Sequence, residues 1–276
     1  MTTPFFSRTE LLLGAQPMQR LAATKVIIFG VGGVGSWCAE ALVRSGVGHL
    51  TLVDPDLVDP SNVNRQLPAL TSTLGRPKVE VLRERFLDIN PQAEIVARCE
   101  RFTADTAPAF HIEQFDYVID AIDSIADKLE LILLCTQKNN SPLRGNHENP
   151  ANGFEKISQD LCGPDKSLKS ENNLQDFQDF AGGGSFKPVL FSSMGAARKL
   201  DPLQVRVTEF WKVDGCPLAA TLRKRMRKQL RFPGRKFKCV WSPERNDNAE
   251  PKGTMMPVTA TFGLTLASLI IKNATL

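Results

Sequence analysis

A five-residue apolar run, Lys25-Val-Ile-Ile-Phe29, opens directly into Gly30-Val-Gly-Gly-Val-Gly35. Apolar residues then recur at helical spacing through Val34, Trp37, Cys38, Ala41 and Leu42, to a stop at Gly46. A buried strand, a turn carrying four glycines and a helix, in that order, restrict the chain to a small group of α/β folds. The glycines let backbone come close to a ligand, and the helix N-terminus turns unpaired N–H groups toward an anion such as phosphate. Alone, the loop says only that a nucleotide binds; a nicotinamide dinucleotide would fit as well.

The same rhythm continues. Leu50–Val53 is a second strand, closed by Asp54-Pro55, and Pro77 to Asn90 carries one apolar helix face through Val79, Leu82, Phe86 and Ile89. Glu94 to Ala97, Tyr117 to Asp120 and Val189 to Ser192 read as further strands, with a helix from Ala126 to about Asn139. The fold class is therefore α/β: a doubly wound, mostly parallel sheet with a Rossmann-like core. After Ser193 the pattern turns mixed α+β, with a strand at Val205 to Thr208 and a basic helix from Leu218 to Arg231. Between these parts, 144–187 is rich in Asn, Asp, Gly, Ser and Lys and lacks apolar periodicity. The expected organisation is a nucleotide-binding core over 1–143, a flexible insertion over 144–187, and the remainder of the same domain over 188–276.

Bulk properties exclude little but point in one direction. Net charge is only +4 over 276 residues, yet Arg223, Lys224, Arg225, Arg227, Lys228, Arg231, Arg235, Lys236 and Lys238 fall in one stretch without an acid. Such a face is either a solvated surface or a phosphate-binding one. The six cysteines form no C-x-x-C pair, so no zinc site is expected. No charged-then-apolar leader stands at the start, which predicts a cytoplasmic protein with reduced thiols. The most membrane-like stretch, Met255 to Ile271, is shorter than the roughly 20 apolar residues a spanning helix needs. A buried terminal helix is the expectation, with peripheral membrane contact left open.

The polar loops after the strands are more specific than the glycines. Asp54 follows Gly35 by nineteen residues, the separation at which an acid reaches a ribose hydroxyl. Asn62 and Arg65 sit three apart on the loop beyond it, where an arginine fork and an amide suit the oxygens of a triphosphate. Lys78 starts the next helix with another cation. Asp120-Ala-Ile-Asp123 ends a later strand, and its second carboxylate suits Mg²⁺ held against phosphates. ATP and Mg²⁺ are the ligands this set predicts.

The pattern resembles the ubiquitin-activating-enzyme-like (ThiF/MoeB/HesA) superfamily: G-x-G-G-x-G, an acid ending the second strand, S-N-x-x-R-Q at 61–66, Lys78, and D-x-x-D. That resemblance implies an ATP site built from Gly30, Gly32, Gly33, Gly35, Asp54, Asp56, Asn62, Arg65, Gln66 and Lys78. It implies catalytic roles for Arg8, Arg65, Lys78 and Asp123, with Asp123 on Mg²⁺ and Arg8 reaching the ATP of the partner in a homodimer. Carrier-activating members usually carry two C-x-x-C pairs, which are missing here. Gly30 to Trp37, Tyr117 to Ser124, Ser192 to Gly195, Leu200-Asp-Pro202, Cys216 to Ala219 and Pro257 to Gly263 instead look like the tRNA threonylcarbamoyladenosine dehydratase branch. The implied activity is adenylation and cyclisation of a modified adenosine in tRNA, with Arg223, Lys224, Arg227, Lys228 and Arg231 on the tRNA backbone. Sulfur-transfer proteins are further candidate partners. An activator of a ubiquitin-like sulfur carrier and a nucleotide-binding scaffold without turnover stay as alternatives. Cys216 is either a nucleophilic thiol or a structural one.

A long solvated connection costs little stability. Deleting Gly145 to Lys187 is therefore expected to leave ATP binding intact by calorimetric titration; lost affinity would refute its reading as an insertion.

Overall fold

The computed structural model describes Pro4–Gln137, Pro188–Arg245 and Gly253–Leu276. The insertion expected over 144–187 lies outside the described residues. Seven strands form one sheet: β1 (Lys25–Phe29), β2 (His49–Val53), β3 (Glu94–Arg98), β4 (Tyr117–Asp120), β5 (Val189–Ser193), β6 (Arg206–Glu209) and β7 (Lys238–Trp241). Their spatial order is β3-β2-β1-β4-β5-β7-β6. All neighbours are parallel except β6, which runs antiparallel to β7 at one edge. The doubly wound, mostly parallel sheet with a mixed C-terminal part is thus as expected. Strand β7 was not foreseen, because Lys238-Cys-Val-Trp sits at the end of the basic run.

Seven α-helices are described: α1 (Ser7–Leu13), α2 (Ala15–Ala23), α3 (Gly35–Arg44), α4 (Lys78–Ile89), α5 (Ile125–Thr136), α6 (Pro217–Gln229) and α7 (Met256–Thr275). Strand period 2 divides β1 between two cores. Val26 and Ile28 face one built with Leu21, Leu42, Phe86 and Phe262, from α2, α3, α4 and α7. Ile27 and Phe29 face the other, built with Leu129, Ile132, Leu222 and Met226, from α5 and α6. Both faces of the sheet are covered, so its strands read as continuous apolar runs rather than alternating ones.

β4 and β5 pair directly, so the stretches on either side of the insertion join inside the sheet. Arg235 holds the same place from the side, with Nη2 donating to the carbonyls of Cys135 (2.6 Å) and Pro188 (2.5 Å). Its guanidinium is therefore a brace, although its sequence neighbours suggested a solvent-facing charge.

The C-terminal helix α7 is buried against α3, with Val258, Phe262, Leu266 and Ile270 in the core. No described helix is long and apolar enough to cross a membrane. Contact between α7 and α3 is closest at Gly263, where a Cβ would lie 2.4 Å from the carbonyl oxygen of Val34. Backbone there cannot yield as a flexible side chain would, and overpacking costs about 1–3 kcal/mol. Gly263→Ala is expected to lower stability by about that much in urea denaturation. It should also weaken ATP affinity, because Val34 belongs to the glycine turn.

Candidate active site

The sequence of strands β3-β2-β1-β4 places the first reversal of connection between β1 and β4, where doubly wound sheets bind ligands. A cavity of about 610 Å³ opens there, over the carboxyl ends of the strands. Gly30 adopts φ +87°, and a Cβ on it would stand 2.6 Å from the carbonyl oxygen of Ala121. At Gly35 a Cβ would lie 1.9 Å from the carbonyl oxygen of Gly30. These two glycines close the turn on itself, while Gly32 and Gly33 line the cavity. The N-terminus of α3 has no side-chain cap, which leaves its N–H groups open to an anion.

Ser36 and Trp37 tie this turn to the Asn62–Gln66 loop. Ser36 Oγ donates to the Gly32 carbonyl (2.6 Å) and accepts from Leu67 N–H (3.3 Å). Trp37 Nε1 donates to the Arg65 carbonyl (3.0 Å). Arg65 lines the cavity, its Nη1 anchored to the Ser61 carbonyl and Asn64 Oδ1, both at 2.8 Å. Gln66 is buried on the cavity wall beneath Gly32, and its Oε1 has no hydrogen-bond partner. An orphaned buried amide oxygen is uncommon and marks a place for a ligand or water. Asn62 is set back. It is buried, does not line the cavity, and its Oδ1 accepts from Asp59 N–H (3.3 Å) as part of a capping box. The structure thus gives Asn62 the shaping of the loop, where the sequence suggested a phosphate contact.

Two pairs of acids divide their tasks. Asp54 is buried and accepts from Val31 N–H (2.8 Å) and Asp56 N–H (2.9 Å), which pins the glycine turn to β2. Burial pushes its carboxyl up, opposed by those N–H groups and by the charge of Lys78. Asp56 is largely exposed and pairs with Lys78 Nζ at 2.7 Å. Lys78 is buried, so its stem fixes the ammonium at the cavity wall. Similarly, Asp120 is fully buried, receiving Lys128 Nζ (2.9 Å), Ser192 Oγ (2.6 Å) and Ile122 N–H (3.2 Å). Burial drives its carboxyl up, and the Lys128 ammonium and the hydrogen bonds oppose this. Asp123 stands exposed on the rim and makes no ion pair or side-chain hydrogen bond among the described residues.

Lys128 and Arg101 were not foreseen as part of this site. Lys128 Nζ also donates to the Ile122 carbonyl (3.1 Å), holding the turn that carries Asp123. Its signal in the sequence is a lysine on an otherwise apolar helix face, four residues before Ile132. Arg101 forms the opposite wall with Phe102 and is fixed by Asp127 Oδ2 at 2.9 Å.

The remaining candidates lie apart. Arg8 is exposed on α1 and does not line the cavity of its own chain. Cys216 is buried at the start of α6, behind Gly195 and Leu218, which do line it. On α6, Lys224, Arg225, Arg227 and Lys228 are exposed. Arg223 instead donates to the Val213 carbonyl (2.8 Å), and Arg231 grips Glu130 with both nitrogens (2.6 and 2.8 Å). The free basic face is narrower than its sequence suggests.

The model of the ThiF family matches residues 6–149. The chain belongs to the ThiF family. Its second half extends the likeness. It is 37% identical to the tRNA threonylcarbamoyladenosine dehydratase of Bacillus subtilis over 224 residues, 81% of this chain and 69% of that protein. The crystal structure of Escherichia coli tRNA N6-threonylcarbamoyladenosine dehydratase, TcdA, in complex with AMP is similar across 98% of this chain and 93% of that one, with a TM-score of 0.75 and 31% identity. The ATP complex of the same protein is similar over the same share of both chains, with a TM-score of 0.74 and 31% identity.

Removing one member of a buried ion pair leaves an uncompensated charge and costs about 3–5 kcal/mol. Lys128→Met is expected to lower stability by about that amount in urea denaturation. Adding Asp120→Asn should recover part of the loss, and no recovery would show that the pair is not the cause.

Proposed function

We propose that this chain is an ATP-dependent tRNA threonylcarbamoyladenosine dehydratase. One observation carries the reading: similarity to the dehydratase spans 98% of this chain, so it takes in the cavity floor as well as α6 and α7. ATP is a substrate. Its phosphates belong on the Gly32–Gly33 turn and the N-terminus of α3, with Arg65, Lys78 and the Gln66 amide around them. Its ribose belongs at Asp56, with Asp54 bracing from behind. Asp123 suits Mg²⁺, which binds through one or two carboxylates and takes its other ligands from substrate phosphates and water. Arg8, exposed on α1, is the residue offered to a partner subunit.

In the chemistry, an oxygen of the threonyl carboxylate attacks the α-phosphorus of ATP and pyrophosphate leaves. The acyl carbon then carries AMP as its leaving group. A nucleophile of the carbamoyl group attacks that carbon, closes a ring and expels AMP, so the tRNA loses one water. The protein needs no nucleophile of its own for this; it aligns the reactants and neutralises charge. Lys224, Arg227 and Lys228 are the surface for the tRNA backbone.

Mass spectrometry of tRNA nucleosides after incubation with ATP and Mg²⁺ tests the reading, and loss of one water from the modified adenosine is expected. Arg65→Ala and Asp123→Ala should each slow it about 100-fold. Protein that binds ATP and leaves the nucleoside unchanged would overturn the reading.

A further inference from the structure

The cavity crosses the carboxyl ends of five adjacent strands, in the order β3-β2-β1-β4-β5. At about 4.8 Å between strands its floor is about 19 Å wide. A nucleotide with phosphates on the turn after β1 lays its ribose toward β2. Asp54 and Asp56 follow β2, and beyond them Arg101 and Phe102 follow β3. Asp123 follows β4, at the phosphate end. ATP therefore accounts for the floor from β3 to β4 and leaves the β5 side open.

That remaining side has a different character. Its wall is Ser193 to Ala197 after β5 and Leu218 at the start of α6. None of these residues is charged, so nothing there grips a phosphate. Gly195 faces Leu218 at contact distance, since a Cβ on it would be 3.6 Å from Leu218 Cβ. A neutral recess beside the triphosphate end suits an uncharged heterocycle and the acyl group to be activated. The exposed cations of α6 begin farther along the helix. Lys224, Arg227 and Lys228 follow Leu218 by six, nine and ten residues, or about 9–15 Å at 1.5 Å per residue.

Building on the dehydratase reading, we propose that the β5 half of the cavity is the acceptor subsite and that α6 acts as its ruler. The recess receives one nucleotide that has left its stack, with its threonyl arm toward the α-phosphate. The exposed cations of α6 hold the RNA backbone at a set distance from it. A stacked base inside a helix cannot enter such a recess, so the acceptor is a single-stranded, splayed-out nucleotide.

Two variants separate the parts of this subsite in steady-state assays with modified tRNA. Ala197→Phe fills the recess. It is expected to retain the parental ATP affinity and tRNA KM while kcat falls about 100-fold, the scale of misplaced reactants. Leu218→Trp serves the same purpose if circular dichroism shows Ala197→Phe unfolded. Lys224→Glu/Arg227→Glu/Lys228→Glu should raise the tRNA KM about tenfold or more and flatten its salt dependence, acting far less on kcat. Parental kcat in a folded recess variant would overturn the subsite. So would loss of ATP affinity in it, which would give the recess to the nucleotide. A triple variant with parental KM would overturn the ruler. Parent protein that binds ATP and converts no tRNA overturns the dehydratase reading itself, and the subsite falls with it.

Discussion

Gly30 and Ala121 meet backbone to backbone where β1 and β4 end, and the active cavity depends on that approach. No side chain fits between them, since a Cβ on Gly30 would lie 2.6 Å from the Ala121 carbonyl oxygen. The contact brings the glycine turn beside the Ala121–Ser124 turn, and so sets Asp123 beside the turn that would cradle phosphate. Everything around it prevents drift. Asp54 holds Val31, Ser36 holds Gly32, and Lys128 holds Ile122. Donors fixed before a ligand arrives cost no reorganisation during reaction, which is where much of electrostatic catalysis originates.

The same economy of roles appears in both acidic motifs. In Asp54-Pro-Asp56 and Asp120-Ala-Ile-Asp123 the first carboxylate is buried and accepts backbone N–H groups, while the second is exposed at the cavity. A buried carboxylate is tolerable only when hydrogen-bonded or paired, and then it stiffens a turn. The exposed ones differ: Asp56 pairs with Lys78, and Asp123 has no ion pair among the described residues.

The basic helix shows the reverse lesson. Nine cations without an acid suggest one broad surface, yet Arg223 serves the carbonyl of Val213, Arg231 pairs with Glu130, and Arg235 spans Cys135 and Pro188. Arginine's planar fork satisfies carbonyls and carboxylates that would otherwise be left without donors. Charge counted along a chain therefore overstates the charge a surface presents.

Strands β1 to β6 and helices α3 to α7 were legible from residue order, because a strand and an amphipathic helix impose periods that apolar residues cannot disguise. That the glycine turn, Asp54, Arg65, Lys78 and Asp123 gather at one cavity was legible too, since each follows a strand end or opens a helix. Strand β7 was hidden, because an internal strand flanked by Lys and Arg carries too few apolar residues to stand out. Side-chain direction was beyond reach: Asn62 turns back to cap its own loop, and Lys128 reaches from α5 back to Asp120 at the end of β4. Local pattern settles where a turn falls and which elements flank it. Only packing decides which of the polar residues on that turn support it and which face the cavity, because that choice depends on which donors the folded chain brings within reach, such as Val31 N–H at Asp54 and Ser192 Oγ at Asp120.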